Sequence, residues 1–213
     1  MEHESHPHHP PHGTGVRWLD IILGVAATIV SLVSLWLGLH SAHSMEKLVA
    51  ANSYPYLELM RSNMLETPQA GTDRHQFQVK YELVNNGIGP ARVEWVELRF
   101  KDKPVRNIPE LLSACCSGAG SADDANNMDA RGGIDGSLVR AGGAVALFSW
   151  VQPATPSPLF AALHRQMDQI RYSACYCSVF DECYLRTENA DRPKPVEQCS
   201  APAVPFQPSF KKG

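Results

Sequence analysis

Several signals that would assign a class directly are missing from this sequence. Lys and Arg number 19 against 22 Asp and Glu, a net charge of −3. The basic residues are scattered, so the electrostatic footprint that nucleic acid requires is absent and that class of partner is set aside. No G-x-S-x-G, H-E-x-x-H, G-x-x-x-x-G-K-[ST] or G-x-G-x-x-G pattern stands between a strand and a helix. Without these there is no nucleophile elbow, zincin helix, P-loop or dinucleotide turn, and an enzyme is not expected. Charge is absent from Ile21 to Leu39, and cysteine is absent before position 115. These last two absences carry most of the positive information.

The 19 uncharged residues Ile21 to Leu39 would extend about 28 Å as a helix, close to the hydrocarbon thickness of a bilayer. Trp18 and Trp36 lie near the two ends, where indole rings favour the headgroup level, and Arg17 with Asp20 marks the first edge. A cleaved signal peptide has a shorter apolar core, a Lys-rich lead and a small-x-small site, whereas here the lead is His-rich and Ser41-Ala42-His43 is a poor site. The expectation is a transmembrane helix over 18–40 and a helical stalk over 41–52, ended by Asn52-Ser53 and the pre-proline position of Tyr54. Inside the span Gly24, Ala27, Ser31, Ser34 and Gly38 recur at spacings of three and four. They line small residues along one face, which suits self-association or a partner helix, although small residues are also simply common in spans.

Six cysteines follow the span: Cys115, Cys116, Cys175, Cys177, Cys183 and Cys199. An even count on one side suits an oxidising compartment. Arg17 before the span is balanced by Lys47 and Arg61 after it, so the positive-inside rule adds little. The cysteines therefore predict a cytoplasmic N-terminus and a domain outside, periplasmic if the host has a periplasm. Cys175 and Cys177 share one face of a strand, about 6.6 Å apart, so each is expected to bond elsewhere. The framework this suggests joins one or both of Cys115 and Cys116 to Cys175 or Cys177, with Cys183 and Cys199 joining each other or a leftover cysteine; sequence does not choose among the roughly 15 connectivities of six cysteines. Structural disulfides are the primary reading. The alternative is a thiolate site for zinc or copper, which needs a cytoplasmic domain.

Residues 1–15 carry His3, His6, His8, His9 and His12 among prolines and glycines, a disordered leader with adventitious metal affinity. Past the stalk the pattern turns to strands. Tyr54 to Met60 reads as a sheet-edge strand, because Pro55 cannot donate to a ladder. Phe77, Val79, Tyr81 and Leu83 alternate with polar residues over 76–84, Asn85 to Pro90 is a turn, and Ala91 to Phe100 is the next strand. Its alternation changes phase between Trp95 and Val96, as a β-bulge requires. Asp102-Lys103-Pro104 turns the chain, and Pro109 to Cys115 suggests a short helix. The loop 117–136 is long and aperiodic; its Asp123, Asp124, Asp129 and Asp135 lack the spacing of a calcium loop. Strands follow over Ser137 to Arg140 and Ala144 to Val151, then a helix from Ser157 to Gln169, then strands over Ile170 to Phe180 and Cys183 to Arg186. Residues 189–213 hold five prolines and read as an extended tail that Cys199 could staple down. The fold class is mainly β: residues 53–188 as an antiparallel, immunoglobulin-like sandwich with one or two short helices. Among acid–base candidates, His164 reads as a solvated helix histidine and Asp181-Glu182 as turn carboxylates.

Three stretches resemble uncharacterised bacterial inner-membrane proteins that carry one N-terminal span and an external β domain. They are Ser-Tyr-Pro-Tyr-Leu-Glu-Leu-Met at 53–60, Tyr-Glu-Leu-Val-Asn-Asn-Gly-Ile-Gly-Pro-Ala-Arg-Val at 81–93, and Tyr-Ser-Ala-Cys-Tyr-Cys-Ser-Val-Phe-Asp-Glu-Cys-Tyr at 172–184. The resemblance implies architecture and localisation, and supplies no activity or functional residue. The expected function is a membrane-anchored extracytoplasmic binding or assembly module, with no catalytic residue, cofactor or metal. Its partner is the membrane plus an envelope protein or a second copy met through the span. The alternative is a cytoplasm-facing ligand or metal sensor coupled to the span.

Overall fold

The computed structural model describes residues 17–66, 75–120, 124–125, 127–130 and 133–209. The His-rich leader and Asp123 lie outside the described residues. The chain divides into two compact units, residues 1–49 and 50–213.

The first unit is dominated by α1 (Arg17–Ala51), an uninterrupted helix of 35 residues, about 52 Å long at 1.5 Å per residue. No proline breaks it. The Thr28 and Ser31 hydroxyls donate to the carbonyls of Gly24 and Ala27 one turn back, both at 2.8 Å, so these polar groups are satisfied inside the helix. The helix is long and apolar enough to cross a membrane.

The second unit is mainly β and antiparallel throughout. In chain order its elements are β1 (Leu57–Glu66), β2 (His75–Asn85), β3 (Ala91–Phe100), β4 (Lys103–Val105), α2 (Ile108–Cys116), β5 (Met128–Ala130), β6 (Leu138–Val139), β7 (Ala144–Val151), α3 (Pro158–Arg165), a 3-10 turn (Met167–Gln169), β8 (Ile170–Cys177), β9 (Cys183–Thr187) and β10 (Lys194–Val196). One sheet runs β1-β2-β7-β5; the other runs β10-β9-β8-β3-β4, with β6 paired to the start of β3.

Alternation explains most of this. Val79, Tyr81 and Leu83 of β2 are fully buried. Phe77 is not: it is exposed and lies against the His164 ring, while Gln78 turns inward and donates to Ser62 Oγ and the Met64 carbonyl. In β3 the buried positions run Ala91, Val93, then Val96, Leu98 and Phe100, and the pairing with β8 slips between Val93 and Trp95. That slip is the bulge expected from the change of phase. The β3–β4 turn falls at Lys101-Asp102, whose φ values of 50° and 63° are the two left-handed residues of a type I′ hairpin. Both short helices start where capping chemistry allows, with Asn107 and Ser157 accepting from the amides of Glu110 and Phe160 and a proline in each first turn.

The two sheets share one core. Tyr81 stacks on Phe148 and meets Tyr172 of the other sheet edge-on, with ring centroids 5.4 Å apart. The stretch read as a structureless loop contains β5, which adds an edge strand beside β7, with Met128 and Ile134 buried on either side of the undescribed Arg131 and Gly132. The proline-rich C-terminal stretch is held down too: Phe206 is fully buried and its amide donates to the Val96 carbonyl.

One buried polar residue ties these parts together. Asn85, fully buried at the end of β2, accepts from the amides of Tyr56 and Gly87 at 3.1 and 3.0 Å, and donates to the carbonyls of Gly89 and Val139 at 2.8 and 3.0 Å. Gly87 and Gly89 leave room for this: a Cβ on Gly89 would overlap the backbone of Ser53, and one on Gly87 the backbone of Tyr54 and Tyr56. Asn85→Ala strands two donors and two acceptors, and is expected to cost about 3 kcal/mol of stability in the disulfide-intact chain. Denaturant unfolding in detergent measures it; a loss under about 1 kcal/mol would show the amide to be replaceable by water. Gly89→Ala should be at least as damaging, since the clash is with backbone.

Candidate functional site

An open cleft of about 500 Å³ runs between β1 and the β8–β9 side of the other sheet. Leu59, Met60 and Arg61 form its β1 wall; Arg171 comes from β8, Arg186 from β9, Glu188 and Asn189 from the segment after it, and Asp168 from the 3-10 turn. Tyrosines set the wall in place. The Tyr176 hydroxyl accepts from the Leu57 amide at 3.3 Å, and the Tyr172 hydroxyl lies 2.7 Å from the Met60 carbonyl. The Tyr81 hydroxyl donates to the Met167 carbonyl at 2.9 Å, which Arg61 Nη1 also reaches at 3.3 Å. Burial pushes all three phenols far above their ordinary pKa, so they act as permanent donors and acceptors of neutral form.

The charges are less fixed. Arg61 meets Asp168 at 3.4 Å and Arg171 meets Asn189 at 3.3 Å, both at exposed positions, where such contacts contribute about 0–1 kcal/mol. Arg186 donates to the Ala190 carbonyl at 2.7 Å and lies over the Tyr56 ring at 5.9 Å; its Nε is buried with no partner among the described residues. Glu188 is exposed at the mouth, yet the protein crowding its carboxylate raises its pKa above the usual range, with Arg61 and Arg171 pulling it back. Three arginines thus face two carboxylates. Beyond Arg186 the surface continues as aromatic: Tyr56 lies 6.4 Å from Tyr54, Tyr54 meets Tyr184 edge-on at 5.2 Å, and Tyr184 stacks on Tyr176 at 5.6 Å.

Among the described residues, no serine, threonine or cysteine lines this cleft or the smaller one that adjoins it through Arg61 and Asp168, where Asn63, His164 and Met167 sit, whereas Ser173 and Thr187 line a third that adjoins it through Arg171, Glu188 and Asn189. His164 is half-buried between Phe77 and Phe160, its Nε2 3.3 Å from the Asn63 carbonyl, so it is a packed rather than a solvated histidine. The arrangement offers hydrogen bonds, charge and ring faces.

The cysteines pair differently from the expected framework. Cys115 is bonded to Cys116, Cys175 to Cys199 and Cys177 to Cys183, and no described cysteine is free. The reason is sidedness. Cys116 ends α2 within the core, where Gln166 Nε2 donates to the Cys115 carbonyl at 2.6 Å. Tyr172, Ala174 and Tyr176 of β8 face that core, so Cys175 and Cys177 face outward and meet only what lies on that side. Cys183 stands opposite Cys177 in the β8–β9 ladder, and Cys199 arrives with the C-terminal stretch. Asp181 is a turn residue with φ of 61° and binds Arg92 at 2.8 Å; Glu182 shares its turn. Among the described residues, Asp124, Asp129 and Asp135 form no metal cluster. Gly24, Ala27, Ser31, Ser34 and Gly38 all lie exposed on α1. The cleft arginines were not singled out from the sequence, because nothing local links positions 61, 171 and 186.

No protein-family model matches the chain, and no curated protein is similar to it.

Glu188 gives the cleft a pH signature. Its folded pKa exceeds the unfolded one, so the folded state holds its proton to higher pH and stability falls as pH rises through that window. Glu188→Gln is therefore expected to be slightly more stable than the parent at neutral pH, with the difference vanishing below the ordinary carboxylate range, where the residue is protonated in both states. Thermal unfolding across pH checks this; a variant less stable at neutral pH would mean that the arginines outweigh the desolvation.

Proposed function

We propose that this chain is a membrane-anchored, extracytoplasmic binding or assembly module in which α1 spans the bacterial inner membrane over residues 18–40. A stalk over 41–52 carries a periplasmic, immunoglobulin-like sandwich that grips an acidic segment of another envelope protein. The observation that carries this reading is the composition of the cleft: Arg61, Arg171 and Arg186 flanked by Tyr54, Tyr56 and Tyr184. Tyrosine and arginine are the side chains most enriched where proteins recognise proteins. Guanidinium groups pair carboxylates bidentately, and weak, exposed contacts leave Arg61 and Arg171 free to exchange partners.

Other features support the placement. A helix of this length and apolarity suits a span, and three disulfides suit a domain that folds in an oxidising compartment. Two antiparallel sheets closing on one core through Tyr81 and Tyr172 suit a sandwich of the proposed type.

A photo-crosslinking amino acid at position 60 or 189 of the intact protein, both on the cleft wall, activated in living cells, tests the reading. The expected product is one discrete adduct with another envelope protein, reduced at least tenfold by Arg61→Glu or Arg186→Glu while the membrane fraction of the protein is unchanged. Recovery of monomer alone, or an adduct indifferent to both charge reversals, would overturn the cleft as the binding surface.

A further inference from the structure

Three of the six sulfurs cluster on the face of β8 turned away from the core, and a fourth, that of Cys175, is bonded to one of them. Cys175 and Cys177 lie two residues apart on that strand, Cys183 is the cross-strand partner of Cys177, and Cys199 is brought in by the segment after β10. The Sγ atoms of Cys177, Cys183 and Cys199 all lie within 4.8 Å of one another, and Cys175 is bonded to Cys199. The two disulfides touch: Cys177 Sγ is 3.8 Å from Cys199 Sγ.

That distance has a chemical meaning. A zinc ion bound by four thiolates at about 2.3 Å spaces its sulfurs about 3.8 Å apart along each edge of the tetrahedron. Cys177 and Cys199 already stand one such edge apart. The donors come from two adjacent strands and one crossing segment, so the backbone supplies three directions of approach. Trp95, the cross-strand neighbour of Cys175 on β3, has a buried indole N–H with no acceptor among the described residues, a donor of the kind that supports a metal-bound sulfur.

We propose that, with both disulfides reduced, Cys175, Cys177, Cys183 and Cys199 form a tetrahedral zinc site. Each disulfide takes two electrons and two protons from a dithiol reductant, which leaves as its own disulfide. The four thiols then lose their protons to solvent as Zn²⁺ binds. Cys115 and Cys116 take no part, since they lie on the core side. The site depends on the redox state of the domain and not on the cleft, and it fills only where a reductant reaches both bonds.

The test uses the full-length protein in detergent, reduced by a phosphine without oxygen and titrated with Co²⁺ alone. The expected result is one cobalt per chain with sulfur-to-cobalt charge-transfer absorption and tetrahedral ligand-field bands, all displaced by Zn²⁺. Cys183→Ser should weaken apparent affinity at least tenfold, while Cys115→Ser with Cys116→Ser should leave the spectrum unchanged. The histidines of the leader give no sulfur charge-transfer band, so binding there is distinguishable. If reduction alone unfolds the domain, recovery of the β circular dichroism on adding cobalt, with the same bands, supports the site. Absence of the bands with or without a folded domain overturns it, as does a spectrum that requires Cys115 and Cys116 or survives Cys177→Ser with Cys183→Ser.

Discussion

The four hydrogen bonds of the Asn85 side chain decide where the chain enters the β domain, and the rest of the domain follows from that. By holding the Tyr56 amide, Asn85 starts β1 at Leu57. By holding Gly89 and Val139 it fixes the crossing from β2 in one sheet to β3 in the other, and the position of β6 against β3. A buried amide with every donor and acceptor satisfied specifies geometry more sharply than apolar packing, because a small displacement leaves groups without partners. The β1 edge is thereby set against β8 and β9, and the cleft is the gap that remains.

The chemistry of the cleft divides into rigid and exchangeable parts. Tyr81, Tyr172 and Tyr176 are buried, hydrogen-bonded to backbone and permanently neutral, so they hold the walls. Arg61, Arg171 and Glu188 reach water and make contacts too weak to hold their side chains in one place. Affinity for a partner would come from the half-buried tyrosines around Arg186, while the arginines would set which partner is accepted and how fast it arrives.

Much of the fold was legible because it rests on local pattern. The alternation over Val79 to Leu83, the bulge in β3, the capped starts of α2 and α3, and the length of α1 all follow from spacing and residue type. The helix read as Ser157 to Gln169 divides into α3 and a 3-10 turn, a subtlety of the C-terminal turn. What local pattern could not supply was sidedness over long separations. Disulfide partners depend on Cys116 facing the core while Cys175 and Cys177 face away from it, and that is set by how β8 packs. Three residues, Met128 to Ala130, are too few to show a strand's period, and Phe206 fills the core from within a run of prolines that reads as tail. The cleft was illegible for the same reason: its arginines lie on β1, β8 and β9, which meet only in the folded domain.

The account stands or falls on the side of the membrane the β domain occupies. Labelling cysteines in intact cells with a membrane-impermeant maleimide, before and after external reduction, measures it directly. Labelling that appears only after external reduction places the domain outside with its disulfides formed, as proposed. Thiols shielded until the membrane is permeabilised, and then labelled without reductant, would put the domain in the cytoplasm and contradict the extracytoplasmic module.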